Sequence, residues 1–256
     1  MKKYLFLLIG LIHLTLAGQV KREIFESFKL QERRDVSYYF PENYTEDKKY
    51  PLLVVLDADY LFDIVVANAK LYGTHSRMPE AIVVGVHQSE NDLRWDDCDF
   101  EQTTGLPTEK GAMFYEFLGT ELVPYLETNY NIAPFKMFVG YDITANFGNY
   151  FLFKDKSYFN SYVIISPILA TDMESRIPSR LADMDQEIFY NMILEKEKTD
   201  DRQRILQMSN AIQSISKETL HYYFDEYDNV DHLSIATYCV SKAFDNVFKM
   251  FRPISP

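Results

Sequence analysis

The chain has 256 residues, 47% hydrophobic and 25% charged, which suits one globular domain with a sizeable core. Acidic residues outnumber basic ones, 38 to 26, and no basic cluster rises above the background. That balance argues against nucleic acid and against an anionic membrane surface as partners.

The first residues are expected to lie outside the fold. Lys2 and Lys3 precede an apolar stretch over residues 4–16, and Ala17 and Gly18 follow. The stretch is too short to span a bilayer and has the build of a secretory signal peptide over residues 1–18. Gln19 stands where a lipid anchor would need Cys, so no membrane anchor is expected. Residues 19–256 then form a single domain, periplasmic or secreted. In that oxidising setting Cys98 and Cys239 have the option of pairing. The apolar helical pattern around Cys239 equally suits a buried free thiol.

Residues 23–30 and 34–40 alternate in part and read as an antiparallel pair at a sheet edge. Residues 52–56 and 81–86 are continuous apolar runs, as in strands buried on both faces of a parallel sheet. Residues 60–72 between them have helical spacing. Residues 89–110 read as a long polar excursion. Helical spacing resumes from Met113 to Leu126, with Pro124 expected to bend or interrupt it. Strands are expected at 137–140, 162–166, 188–194 and 220–224. Residues 168–185 read as a loop or lid, and helices at 201–216 and 233–251 complete the chain. Two edge strands followed by repeated strand–helix units predict an α/β fold with a mostly parallel sheet and helices on both faces.

Functional groups in such a sheet gather beyond the carboxyl ends of the strands. Asp57-Ala58-Asp59, residues 87–100, residues 140–145 and Val230-Asp231-His232 fall there. A residue on a sharp strand-to-helix turn in mid-chain, with a histidine before the last helix, follows the α/β-hydrolase order. Other groups carry less. His87 follows a strand and reads as a solvated loop residue rather than a pocket residue. His75 and His221 lack partners at metal-ligand spacing, so no metal or cofactor is expected. Two acidic clusters, Asp96, Asp97, Asp99 and Glu101, and Asp225, Glu226, Asp228 and Asp231, read as solvated loops.

Six stretches in order resemble the secreted esterases of the enterochelin esterase and esterase D type. Residues 50–59 are similar to that family's strand ending in Leu-Asp-Gly-Asp, and residues 78–86 to its next strand. Residues 121–126 resemble its proline-containing helix, and residues 162–167 its later strand. Val139-Gly140-Tyr141-Asp142 falls on its Val-Gly-His-Ser elbow, and Asp231-His232 on its histidine. The resemblance implies an α/β-hydrolase fold with an antiparallel N-terminal edge and a small-molecule or acyl-ester ligand. It places Asp142 at the nucleophile position and His232 at the general base. The backbone N–H groups of Asp59 and Ile143 fall at the oxyanion positions. Asp201 is the acid chosen to orient His232, with Asp200 and Glu197 close behind. Tyr141, Arg94 and Trp95 are expected as pocket-wall residues.

The departures lie in the catalytic parts. Serine is replaced by Asp142, two glycines by Thr144 and Ala145, and a third by Ala58. The β-branched Thr144 is expected to crowd the turn. A carboxylate cannot follow the serine route, in which histidine takes a hydroxyl proton. The expected function is therefore an esterase relative whose serine chemistry is altered or lost. One alternative is a ligand-binding protein without catalysis. The other is an aspartate-nucleophile hydrolase, because Gly140-Tyr141-Asp142 also resembles the Gly-x-Asp elbow of haloalkane dehalogenases and epoxide hydrolases.

Overall fold

The computed structural model describes residues 20–88, 93–196 and 201–249. The expected signal peptide lies outside them, as do Glu197 and Asp200. Among the described residues, no helix is long and apolar enough to cross a membrane.

Eight strands form one sheet. They are β1 (Val20–Ser27), β2 (Glu32–Tyr39), β3 (Tyr50–Val55), β4 (Ile82–Val86), β5 (Ile132–Tyr141), β6 (Ser161–Ile165), β7 (Ile188–Glu195) and β8 (Leu220–Tyr227). Their spatial order is β1-β2-β4-β3-β5-β6-β7-β8. β1 pairs antiparallel with β2, β2 pairs antiparallel with β4, and every later pair is parallel. This is the mixed sheet the apolar runs imply. β3 and β4 are buried along their whole length because helices cover both of their faces.

One face carries α1 (Ala58–Thr74) and α8 (Ile235–Phe248). The other carries α2 (Leu93–Cys98), α3 (Glu109–Glu116), α4 (Val123–Asn129), α5 (Ile143–Asn149), α6 (Met173–Asp183) and α7 (Arg202–Gln213). On this second face, Phe138, Tyr162, Tyr190 and Tyr222 stand in register on β5 to β8. Their ring centroids are 6.5, 6.0 and 6.1 Å apart in turn. Such cross-strand aromatic pairs contribute about 0.2–1 kcal/mol each and fix the register. Cys98 and Cys239 are both free and buried, and they belong to the cores on opposite faces. The sheet between them rules out their pairing.

Three expectations change. The stretch read as a loop or lid contains helix α6. Met173, Ile177, Pro178 and Leu181 form its buried stripe, and a period read across Pro178 is easily missed. Pro124 does not interrupt its helix. The turn before it, Phe117–Leu122, is a π-helix, and helical structure runs unbroken from Glu109 to Asn129. The wider turn accommodates the donor that proline lacks. The polar excursion also folds. It contains α2, and Asp97 within it is fully buried. Asp97 takes hydrogen bonds from Arg34 at 2.7 Å and from Gln88 at 3.1 Å. It is not a solvated acid, because buried Arg34 on β2 supplies its counter-charge.

Candidate active site

Parallel strands place their carboxyl ends along one edge, and six of them deliver the site. Asp57 follows β3, His87 follows β4, Asp142 follows β5, Ser166 follows β6, Glu195 ends β7, and His232 lies beyond β8.

Asp142 sits between β5 and α5 with φ 60° and ψ −119°. A residue with a Cβ in so sparsely populated a conformation stores of the order of 1–3 kcal/mol of strain. Three backbone bonds hold it. The Asp142 N–H donates to the Ile165 carbonyl at 2.8 Å, and its own carbonyl accepts from Ile168 and Asn146. The strand-to-helix turn is thus sharp and held by backbone, with a carboxylate at its tip. Gly140 makes the tightness possible. A Cβ there would lie 2.7 Å from the Thr144 carbonyl oxygen and 2.9 Å from the Ala145 nitrogen. Both are backbone atoms that cannot step aside. Gly140→Ala is expected to lower stability by about 1–3 kcal/mol, read as a shift in denaturant midpoint.

Thr144 does not crowd the turn. Its hydroxyl accepts from the Tyr141 N–H at 2.9 Å and reaches the Asp57 carboxylate at 2.8 Å. The Thr144 hydroxyl therefore braces the turn as a hydrogen-bonded strut. Asp57 is buried, and burial pushes its pKa up, while Arg94 and Thr144 pull it back down.

Arg94, on α2, is the hub of the site. Its Nε donates to Asp57 at 2.7 Å, and one terminal nitrogen donates to the Tyr141 carbonyl at 3.0 Å. Both terminal nitrogens lie 3.3 Å from the same oxygen of Asp142. Burial acts to lower the Arg94 pKa, but the carboxylates of Asp57 and Asp142 outweigh it and hold the value raised. The guanidinium lies 5.7 Å from the centroids of both Trp95 and Tyr141.

His232 meets Asp142 across a longer gap, 4.0 Å from Nε2 to the carboxylate. Its Nδ1 lies 2.7 Å from Glu195. Glu195 is buried and also bonded by the Ser166 hydroxyl. A Glu195-bound Nδ1–H turns Nε2 toward the elbow. Tyr141 holds this loop in place. Its ring lies 4.7 Å from the imidazole, and its hydroxyl donates to the His232 carbonyl at 2.5 Å.

The acid beside His232 is therefore Glu195, and the expectation of Asp201 is corrected. Asp201 precedes α7, where its carboxylate is bonded by Arg204 and by the Leu169 N–H. β7 runs one residue past the expected end, so its last side chain is the carboxylate. A buried acid closing an apolar strand was the available signal. Asp59 and Ile143 stand in the first turns of α1 and α5, where backbone donors have no intrahelical acceptor. A cavity of about 220 Å³ opens beside Asp59, lined by Asp57, Asp59, Tyr60, Arg94, Tyr141 and Leu233. Trp95 is not among its walls. It is half exposed and covers the Arg94 guanidinium instead. His87 is not a solvated loop residue either, since both ring nitrogens are bonded, to Asp59 and to Ser37.

Known proteins resemble this chain in the same terms. An uncharacterised protein from Capnocytophaga ochracea is 28% identical, with a TM-score of 0.84 over 93% of this chain. The chain spans 66% of that protein's length. An IroE-like serine hydrolase from Shewanella oneidensis is 18% identical, with a TM-score of 0.78, covering 92% of this chain and 82% of that one. The BES protein from Bacillus cereus is 18% identical, with a TM-score of 0.73, covering 97% and 98%. No curated protein matches the sequence. The pattern of the Putative esterase family matches residues 27–224, most of the chain, and the protein belongs to that family.

Proposed function

We propose that this protein is an esterase-fold protein in which serine-esterase chemistry at the elbow has been lost and the pocket kept for binding a small organic ligand. The observation that carries this reading is the Arg94–Asp142 pair. A carboxylate at 142 has no hydroxyl proton for His232 to remove. Its charge is met by a guanidinium already anchored on Asp57 and the Tyr141 carbonyl. The cavity suits a small ligand, being below the size of most drug-scale pockets. Tyr60, Tyr141 and Leu233 would contact its apolar part, and Arg94 its polar part. With the first 18 residues acting as a signal peptide, the site would work in the periplasm or outside the cell. The test is to restore the missing group with Asp142→Ser and look for a His232-dependent esterase.

A second reading has its own support. A strained carboxylate facing a Glu195-backed imidazole is also a fit arrangement for an aspartate nucleophile. Asp142 would attack an alkyl carbon, and water activated by His232 would cleave the ester formed. Under this reading, His232→Gln incubated with an epoxide or haloalkane accumulates an alkyl ester on Asp142, visible by peptide mass. An unmodified Asp142 across such a panel leaves the binding reading.

A further inference from the structure

We propose that Ser37 is a nucleophile in its own right. With His87 and Asp59 it forms a Ser–His–Asp array, distinct from the Asp142–His232–Glu195 set although Asp59 also lines the cavity beside Arg94, that accepts acyl groups from small activated esters. The Ser37 hydroxyl lies 2.8 Å from His87 Nε2, and His87 Nδ1 lies 2.7 Å from Asp59 Oδ1. The other Asp59 oxygen accepts from the Gln88 N–H at 3.1 Å. Nucleophile, base and orienting acid are thus each within hydrogen-bond reach of the next, and the acid is held by backbone.

Three elements converge to make this array. Ser37 on β2 is the register partner of Gly85 on β4. His87 lies two residues further on, and its N–H continues the ladder to the Asp35 carbonyl. The period of two puts the Ser37 and His87 side chains on one face. Gly85 then lets α1 approach the sheet. A Cβ there would lie 2.5 Å from Phe62 and 2.8 Å from Ala58. That close approach brings Asp59, in the first turn of α1, onto the imidazole. Arg22 on β1 is the register partner of Ser37 on its other side. Its half-exposed guanidinium is paired with Asp35.

Ser37 is buried, 4% exposed, and a substrate would reach it from the side of His87 and Asp59. The His87 and Asp59 side chains open further to solvent. In the step, Ser37 Oγ bonds to the acyl carbon while its proton passes to His87 Nε2. The bond to the leaving alkoxide breaks, and His87 returns that proton to it as the alcohol leaves. Water, deprotonated at the same nitrogen, then releases the acid and regenerates Ser37.

The elbow carries a carboxylate, so a serine-directed probe distinguishes this array cleanly. The full chain is treated with a fluorophosphonate, in which Ser37 Oγ would bond to phosphorus as fluoride leaves, and the adduct is mapped by peptide mass. The expected result is one adduct, on Ser37. It should be absent in Ser37→Ala and form at least tenfold more slowly in His87→Gln and in Asp59→Asn. It should be unchanged in His221→Ala, whose imidazole pairs with Glu187 elsewhere. Circular dichroism and thermal melting identify the folded variants to be compared. An unmodified Ser37 in folded wild type at saturating probe overturns the proposal. So does an adduct on another serine alone, or a rate indifferent to both His87→Gln and Asp59→Asn. Because the gain expected of Asp142→Ser depends on His232 and this labelling on His87, either reading can fail without the other.

Discussion

Asp142→Ser is expected to hydrolyse short acyl esters through the elbow, at least about a hundredfold faster than the wild-type elbow. The lower bound follows from what a positioned general base contributes, roughly 10²–10⁴-fold. Under the proposed reading, the serine route lacks the hydroxyl. The elbow keeps its backbone bonds and its strained φ. His232 keeps Nδ1 on Glu195, and Glu195 is backed by Ser166. Asp59 lines the cavity, and Ile143 opens the first turn of α5 directly after Asp142. The substitution also releases Arg94 from one of its two carboxylates, while Asp57 and the Tyr141 carbonyl retain it. His232→Ala in the serine background is expected to remove the gain. Glu195→Gln should reduce it, because the imidazole loses the carboxylate that orients it. The measurement is the initial rate of release of a chromogenic alcohol. A folded Asp142→Ser with no His232-dependent activity would show that the pocket, not only the nucleophile, has been rebuilt.

Arg34→Met is expected to cost about 3–5 kcal/mol of stability, the usual consequence of stranding one member of a buried ion pair. Arg34 is 2% exposed and Asp97 fully buried, and their bond is 2.7 Å. With the guanidinium gone, Asp97 keeps the Gln88 amide as its side-chain donor among the described residues, and Gln88 in turn accepts from the Asp57 N–H. Loss of Arg34 therefore loosens the support beneath the site as well as the core. The cost should depend on pH. Burial already raises the Asp97 pKa above its ordinary 3.8, opposed first by Arg34. Removing Arg34 raises it further. A group with a raised folded pKa favours folding below its unfolded pKa and loses that contribution as pH rises through the folded value. The destabilisation should be smallest near pH 4 and grow toward neutrality, read from denaturant midpoints. Arg34→Met with Asp97→Leu should recover much of it, since a buried pair replaced whole by apolar groups is often neutral. Equal loss in single and double variants would mean that Arg34 acts through packing alone.

Much of this protein was legible in the chain before its fold was known. Continuous apolar runs marked the strands buried on both faces, because a strand covered by helices on each side has no polar face to show. The apolar run ending at Gly140, with polar Asp142 two positions on, located the sharp turn, because glycine allows backbone to approach so closely. The order of strand ends put Asp57, Asp142 and the loop of His232 on one edge, because parallel strands all point their carboxyl ends the same way.

The partners of these groups were decided by tertiary contact. Glu195 rather than Asp201 meets His232, because β7 runs one residue longer than its apolar run and the His232 loop descends on its tip. Asp97 looked like a member of a solvated acidic cluster until a buried arginine from β2, 63 positions earlier, reached it. His87 had no local partner in sequence. Its two partners come from β2 and α1, brought together by sheet register and by the close approach over Gly85. Sequence by itself determined which strand ends carry polar side chains, since periodicity and turn chemistry are local. Which of those side chains touch depends on strand length, register and helix height, and those are settled only when the sheet is assembled and packed.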